Sequence, residues 1–173
     1  INILCYAHPA YCGGERIPKT PEAIEGFCRY AEFVAGETKG KAAFQQVWNK
    51  WDAHPGTDTL ESHRDYVKLL AAVVPRIRAA DPSVKIMSTS ATMDYKLENL
   101  LKAGVLEHVD ALSLHPYVSW RGRGRDTVES WYGLMQRMDR TIRKYNRGKP
   151  FPVYITEIGW PAAITANGFT EET

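Results

Sequence analysis

Short apolar runs rich in branched residues recur along this chain, and each is followed by a longer segment whose apolar residues fall at helical spacing. That alternation predicts βα units around a parallel sheet, because one parallel strand can follow another only through a crossover that returns to the same end. Five such runs are legible: INILCY at 1–6, AAFQQVWN at 42–49, VKIMSTS at 84–90, VDALSLHPY from 109, and PVYITEIGW from 152. In the first crossover Thr20 reads as an N-cap, with Pro21 at the first helical position and Glu22 in the first turn. Ile24, Phe27, Cys28, Ala31 and Val34 form its apolar stripe, and it ends near Gly36. After the second run a loop from Trp51 to about Thr59 leads into a helix carrying Tyr66, Leu69, Leu70, Val73 and Ile77, stopped by the DPS at 81–83. Helices at about 95–103 and 126–146 supply the remaining connections.

Two architectures satisfy this order, an open doubly wound sheet and a closed eight-stranded barrel. No G-x-G-x-x-G or Walker pattern follows the first strand. The polar residues gather instead at the C-terminal ends of several strands: Tyr6 and His8, Asn49 and Lys50, Ser88 and Ser90, His115 and Tyr117, then Thr156, Glu157 and Trp160. That distribution favours an α/β fold of the (β/α)₈ kind, in which the working groups come from many strand ends on one face. With 173 residues, 44% of them hydrophobic, and no linker composition, one domain spanning 1–173 is expected. Twenty-two Lys and Arg against 20 Asp and Glu leave a formal charge of +2, which gives no bulk reason to expect a nucleic-acid or membrane-surface partner. No stretch approaches the roughly 18 apolar residues of a membrane span, so the chain reads as soluble. The opening INILCYAHPAY lacks the basic start and apolar core of a signal peptide; with no initiating Met, the chain reads as an excerpt. Its compartment stays open, including a secreted or periplasmic place for a full-length form.

Particular motifs narrow the reading. VWNKWD at 47–52 resembles the W-N-E-P-[DN] signature of clan A glycoside hydrolases, YITEIGWP resembles their T-E-x-G-W nucleophile strand, and DALSLHPY resembles the strand between them. YAHPAYCGG with TPEAIEGFCRYAEFVAGETKGK further resembles the third βα unit of family 39-type barrels. The resemblance covers essentially the whole chain as strands three to seven. It implies a partial barrel without strands one, two and eight, an oligo- or polysaccharide substrate and no cofactor. It also implies two exposed barrel edges through which the chain could self-associate.

Retaining hydrolysis uses two carboxyl groups about 5–5.5 Å apart, one attacking the anomeric carbon and the other protonating the leaving oxygen before activating water. By the resemblance Glu157 is the nucleophile and Asn49 the partner of the sugar 2-hydroxyl. His115 and Tyr117 orient Glu157 or contact the sugar, Tyr6 and His8 line the substrate side, and Trp160, with Trp51 or Trp120, offers a flat apolar face to a pyranose. Lys50 departs from the pattern at the acid/base position. An ordinary ammonium is a poor proton donor to a glycosidic oxygen and cannot act as a base, so impaired hydrolysis is expected. If Lys50 faces Glu157, the two should pair. Asp52 is a substitute carboxylate only if the chain leaves the strand on an unusual path.

Plainer readings stand beside these. Glu157 could be a strand-end carboxylate in an ion pair, His115 a hydrogen-bonded structural histidine, Trp160 a core aromatic, and Trp48 is better placed for packing than for the site. The three arginines of WRGRGRD at 120–126 fit a solvated loop, a grip on an acidic glycan or, least well, an RNA-binding segment. His54, His63 and His108 have no metal-ligand spacing, so no metal is expected. Cys5, Cys12 and Cys28 read as small residues, with a Cys12–Cys28 disulfide as the alternative.

Overall fold

The structure, a computed structural model, describes residues 1–4, 17–53, 56–118 and 127–160. Strands β1 (Asn2–Leu4), β2 (Phe44–Val47), β3 (Lys85–Ala91), β4 (Ala111–Leu114) and β5 (Val153–Ile155) alternate with helices α1 (Pro21–Glu37), α2 (Leu60–Ala80), α3 (Asp94–Lys102) and α4 (Val128–Tyr145). The strands form one sheet in chain order, every neighbouring pair parallel. A doubly wound sheet reverses its strand order at a switch point, and this one does not; the order is that of a barrel wall. The expected α/β architecture of a partial (β/α)₈ barrel is therefore present.

Three of the four described helices, α1, α2 and α4, begin at a side-chain cap. Thr20, Thr59 and Thr127 are N-caps whose hydroxyls accept from the backbone N–H groups of Ala23, Ser62 and Ser130, satisfying donors that the first helical turn leaves open. The apolar stripe of α2 is buried as its spacing predicts, at Tyr66, Leu69, Leu70, Val73 and Ile77. That of α1 is turned slightly: Ala23, Gly26 and Ala35 are buried, whereas Ile24 and Val34 are only half-buried. Small residues there let α1 lie close to its neighbours.

Alternation along the strands divides the core. Leu4, Val47, Ile86, Leu112 and Leu114 join the helices in one large apolar cluster, while Phe44, Met87 and Ala111 form a smaller one on the other face. On that second face Tyr154 packs edge-on to Phe44 with ring centroids 4.8 Å apart.

Apart from β3, the strands are shorter than their apolar runs suggest. β2 stops at Val47 because Trp48 and Lys50 take positive φ values of 71° and 48°, outside the extended region. Between β3 and β4 the register shifts between Met87 and Ser90. A side chain from α2 repairs the neighbouring ladder there: the Tyr66 hydroxyl donates to Val47 O at 2.7 Å and accepts from Thr89 N at 2.6 Å. Cys28 is a buried free thiol, its pKa pushed up chiefly by burial; Cys5 and Cys12 lie outside the described residues.

Candidate active site

The C-terminal ends of β2, β3, β4 and β5 bring one cluster together. The chain leaves β2 through the two left-handed residues Trp48 and Lys50, a conformation that costs a non-glycine residue on the order of 1 kcal/mol or more. Several contacts hold it. Trp48 N donates to Leu4 O at 2.7 Å, Lys50 N to Ser90 Oγ at 3.1 Å and Trp51 N to Thr89 Oγ1 at 3.0 Å. Gln46 Nε2 donates to Trp48 O at 3.1 Å from the buried face of β2. Hydroxyls of β3 thus take up backbone donors that the end of the strand would otherwise leave open.

This bend aims Lys50 across the rim. Its Nζ lies 2.6 Å from Glu157 Oε2, each side chain 31% exposed, and 5.8 Å from the centre of the Tyr117 ring. Tyr117 Oη donates to the same Glu157 oxygen at 3.1 Å. His115 Nδ1 is 3.4 Å from that oxygen, a close polar contact rather than a full hydrogen bond. On its other side His115 Nε2 meets Thr156 Oγ1 at 2.8 Å, and Thr156 Oγ1 meets Ser113 Oγ at 2.6 Å. Ser90 Oγ also reaches Asn49 Oδ1 at 3.3 Å, which places Asn49 beside the cluster.

The electrostatics follow from this packing. Burial raises the Glu157 carboxyl pKa, but the hydrogen bond and charge of Lys50, with help from His115 and Tyr117, hold it below the usual carboxylate range. Burial pushes the imidazole of His115 down to about 4, so it is neutral near pH 7. The Tyr117 phenol is raised, first by burial and then by the carboxylate it donates to. At neutral pH the cluster is therefore one ammonium, one carboxylate, a neutral imidazole and a neutral phenol.

Of the residues singled out in the sequence, Asn49, Lys50, His115, Tyr117 and Glu157 stand together at this rim. Trp160 is 37% exposed just beyond β5. His115 has no exposed surface, which leaves it able to orient Glu157 but not to touch a sugar. Tyr6 and His8 lie outside the described residues, as do His54, Trp120 and the rest of the 119–126 loop.

Two expectations are corrected. Trp51 is not a sugar platform: it is fully buried between Trp48 and Tyr66, its indole N–H donating to Ser62. Asp52 is not at the rim: only 3% exposed, it has Lys96 Nζ 3.8 Å from its carboxylate, and burial raises its pKa. A single 3₁₀ turn, Trp51–Ala53, carries both inward. Trp48 packs against Phe27 and Trp51, as its bulk suggested. Ser113 was missed in the sequence, although its position two residues before His115 puts both on one strand face. Among the described residues no cluster of three or more His, Cys, Asp or Glu could hold a metal.

Comparison with protein-family models and with curated proteins finds no match. Solved structures do share the fold. A thermostable mutant of a xylanase from Cellvibrio japonicus superposes with a TM-score of 0.60 at 16% identity, over 98% of this chain and 53% of its own. A structure described as a glycoside hydrolase gives 0.56 at 16% identity, over 81% of this chain and 48% of its own. A psychrophilic glycoside hydrolase family 10 endo-β-1,4-xylanase gives 0.53 at 13% identity, over 86% and 48%. The chain thus spans about half the length of these proteins, and at such identities the likeness is one of fold.

Proposed function

We propose that this rim is a glycoside hydrolase-type site of the retaining kind for an oligo- or polysaccharide, with Glu157 as nucleophile and Lys50 in the acid/base place. The carrying observation is the 2.6 Å contact between Lys50 Nζ and Glu157 Oε2 across the ends of β2 and β5. Residues on those two strand ends meet at one rim, as a two-carboxylate mechanism requires. A glutamate at position 50, one bond shorter than lysine, would draw back toward the separation of about 5 Å that retaining chemistry uses. Asn49, Tyr117 and Trp160 stand on the substrate side, joined by Tyr6 and His8 from the sequence pattern.

The same contact supports impairment. Glu157 is ionised, as a nucleophile must be, but its reacting oxygen is covered by an ammonium that cannot do acid/base work at neutral pH. The loss of that step is worth roughly 10²- to 10⁴-fold in rate. It equally favours a second reading, a carbohydrate-binding protein that keeps the cleft without turnover. The family 39-like character rests on the first βα unit of the sequence, and residues 1–173 are read as one unit of a larger barrel.

Lys50→Glu decides between the two readings. Xylan is the first glycan to try, since two of the similar structures are xylanases. The glycosidase reading expects hydrolysis to rise at least 100-fold, with a 2-deoxy-2-fluoro aryl glycoside labelling Glu157 in mass spectrometry. Glycan binding without product or label, unchanged by the substitution, supports the binding protein. A folded variant that neither binds nor cleaves glycans sinks both.

A further inference from the structure

Behind Glu157 lies a line of neutral groups whose hydrogen-bond directions are fixed by logic. Ser113 Oγ, Thr156 Oγ1 and His115 Nε2 follow one another at 2.6 and 2.8 Å, and the other imidazole nitrogen, Nδ1, is 3.4 Å from Glu157 Oε2. Ser113 and His115 are wholly buried and Thr156 is half-buried, so a mismatch at the imidazole itself is shielded from water.

A neutral imidazole has one N–H to place. With the proton on Nε2, the Nδ1 lone pair would lie 3.4 Å from the Glu157 carboxylate, a repulsive contact between a buried nitrogen and a part-exposed anion. With the proton on Nδ1, an N–H lies near that carboxylate, 3.4 Å away and short of hydrogen-bond geometry, and Nε2 must accept. Thr156 then has to donate its only hydroxyl hydrogen to Nε2. It keeps lone pairs but no donor, so Ser113 has to donate to Thr156. The hydroxyl hydrogens then run one way along the line, from Ser113 to Thr156 to His115.

We propose that Thr156 is a positioning residue, its hydroxyl donating to His115 Nε2 so that the imidazole carries its proton on Nδ1, the ring nitrogen on the side of Glu157, with Ser113 completing the relay. This deepens the reading of Glu157 as the working carboxylate, although the donor order follows from the geometry whatever reaction the site performs. The orphan side of the ring explains why a hydroxyl is needed. Without Thr156 Oγ1, Nε2 would be a buried acceptor with no donor, free to turn or to exchange tautomers.

The test is ¹⁵N NMR of the histidine-labelled chain, in which long-range ¹H–¹⁵N correlations tell Nδ1–H from Nε2–H. His115→Gln identifies the ring by the signals it removes. The expected result is a single His115 tautomer protonated on Nδ1, with Nε2 shifted as a hydrogen-bonded acceptor. In Thr156→Val, which keeps the side-chain shape, the Nε2 signal should move to that of a nitrogen without a donor or average between tautomers. Thr156→Ser should restore it, which a purely steric role for Thr156 would not require. An Nε2–H tautomer in the parent chain overturns the proposal and needs no variant to fold; so does an unmoved Nε2 signal in a folded Thr156→Val. Failure of the glycosyl-labelling experiment with the Nδ1–H tautomer intact removes the glycosidase reading alone.

Discussion

The Lys50–Glu157 pair is where one side chain sets the state of another. Lys50→Met keeps most of the stem that covers the cleft and removes the charge. The Glu157 pKa should then rise toward the ordinary carboxylate range, by an amount a ¹³C titration of the carboxyl would read; an unmoved titration would mean the ammonium does not hold it. The sign for stability follows. A carboxyl held low in the folded state stabilises the fold above the ordinary carboxylate range and loses that stabilisation as pH falls through the folded value. For a pair this accessible, the loss in Lys50→Met at neutral pH should be no more than about 1 kcal/mol. His115 acts in an adjoining window. Its imidazole, lowered from 6.5 to about 4 by burial, stays neutral in the folded state where the unfolded chain binds a proton. Folding stability should therefore fall as pH drops from the first value toward the second, by at most one proton, or about 1.4 kcal/mol per pH unit. Urea midpoints between pH 7 and 4.5 would show that slope, with a second contribution from His63, which burial also lowers. His115→Gln should flatten it. A slope unchanged by that substitution would assign the acid sensitivity elsewhere.

At the scale of elements, the site depends on how β2 ends. The Thr20 cap, the helical stripes and the alternation of strands and helices were legible because each follows from a local period or a single capping residue. The end of β2 was not, because nothing in the residue types of Trp48 or Lys50 announces a left-handed backbone; only tertiary contacts pay for it. Those contacts come from far along the chain, from Ser90 and Thr89 on β3 and from the aromatic stack of Phe27, Trp48, Trp51 and Tyr66. The inward turn of Trp51 and Asp52 has the same origin, which is why Trp51 read as a candidate sugar platform. Tyr66 ties the stack to the sheet through its two backbone hydrogen bonds. Tyr66→Phe should therefore leave Val47 O and Thr89 N buried and unsatisfied, costing on the order of 1–3 kcal/mol. A fall in the urea midpoint with an unchanged m-value would show it. A loss near zero would mean the ladder between β2 and β3 closes without the hydroxyl. Thr59→Ala, by contrast, removes only a cap at the start of α2, worth about 1 kcal/mol.

Across the whole molecule, apolar side chains are exposed at both ends of the sheet as well as on helices, at Phe33, Tyr95, Val128 and Tyr132. Ile3 on β1 and Tyr154 and Ile155 on β5 are each more than 40% exposed, and Ile1 and Ile158 flank them. β1 and β5 stand first and last in the strand order, each hydrogen-bonded to a single neighbouring strand among the described residues. A parallel strand normally has both faces and both edges covered, so these are the surfaces on which further barrel wall would add. The likeness to proteins about twice as long points the same way, but the physical argument rests on the edges. This 173-residue chain by itself should associate through them, since exposed backbone donors and acceptors beside apolar side chains template another strand. Sedimentation velocity over a range of concentrations should show that association growing with concentration. The paired substitution Ile3→Lys and Ile155→Lys places a charge on each edge strand and should shift the distribution toward monomer, whereas Phe33→Lys, on an exposed turn of α1 rather than on an edge strand, should not. If the edge and helix variants behave alike, association runs through some other surface. If the parent chain stays monomeric at every concentration, the two edges are already satisfied and the open-wall reading of the sheet is wrong.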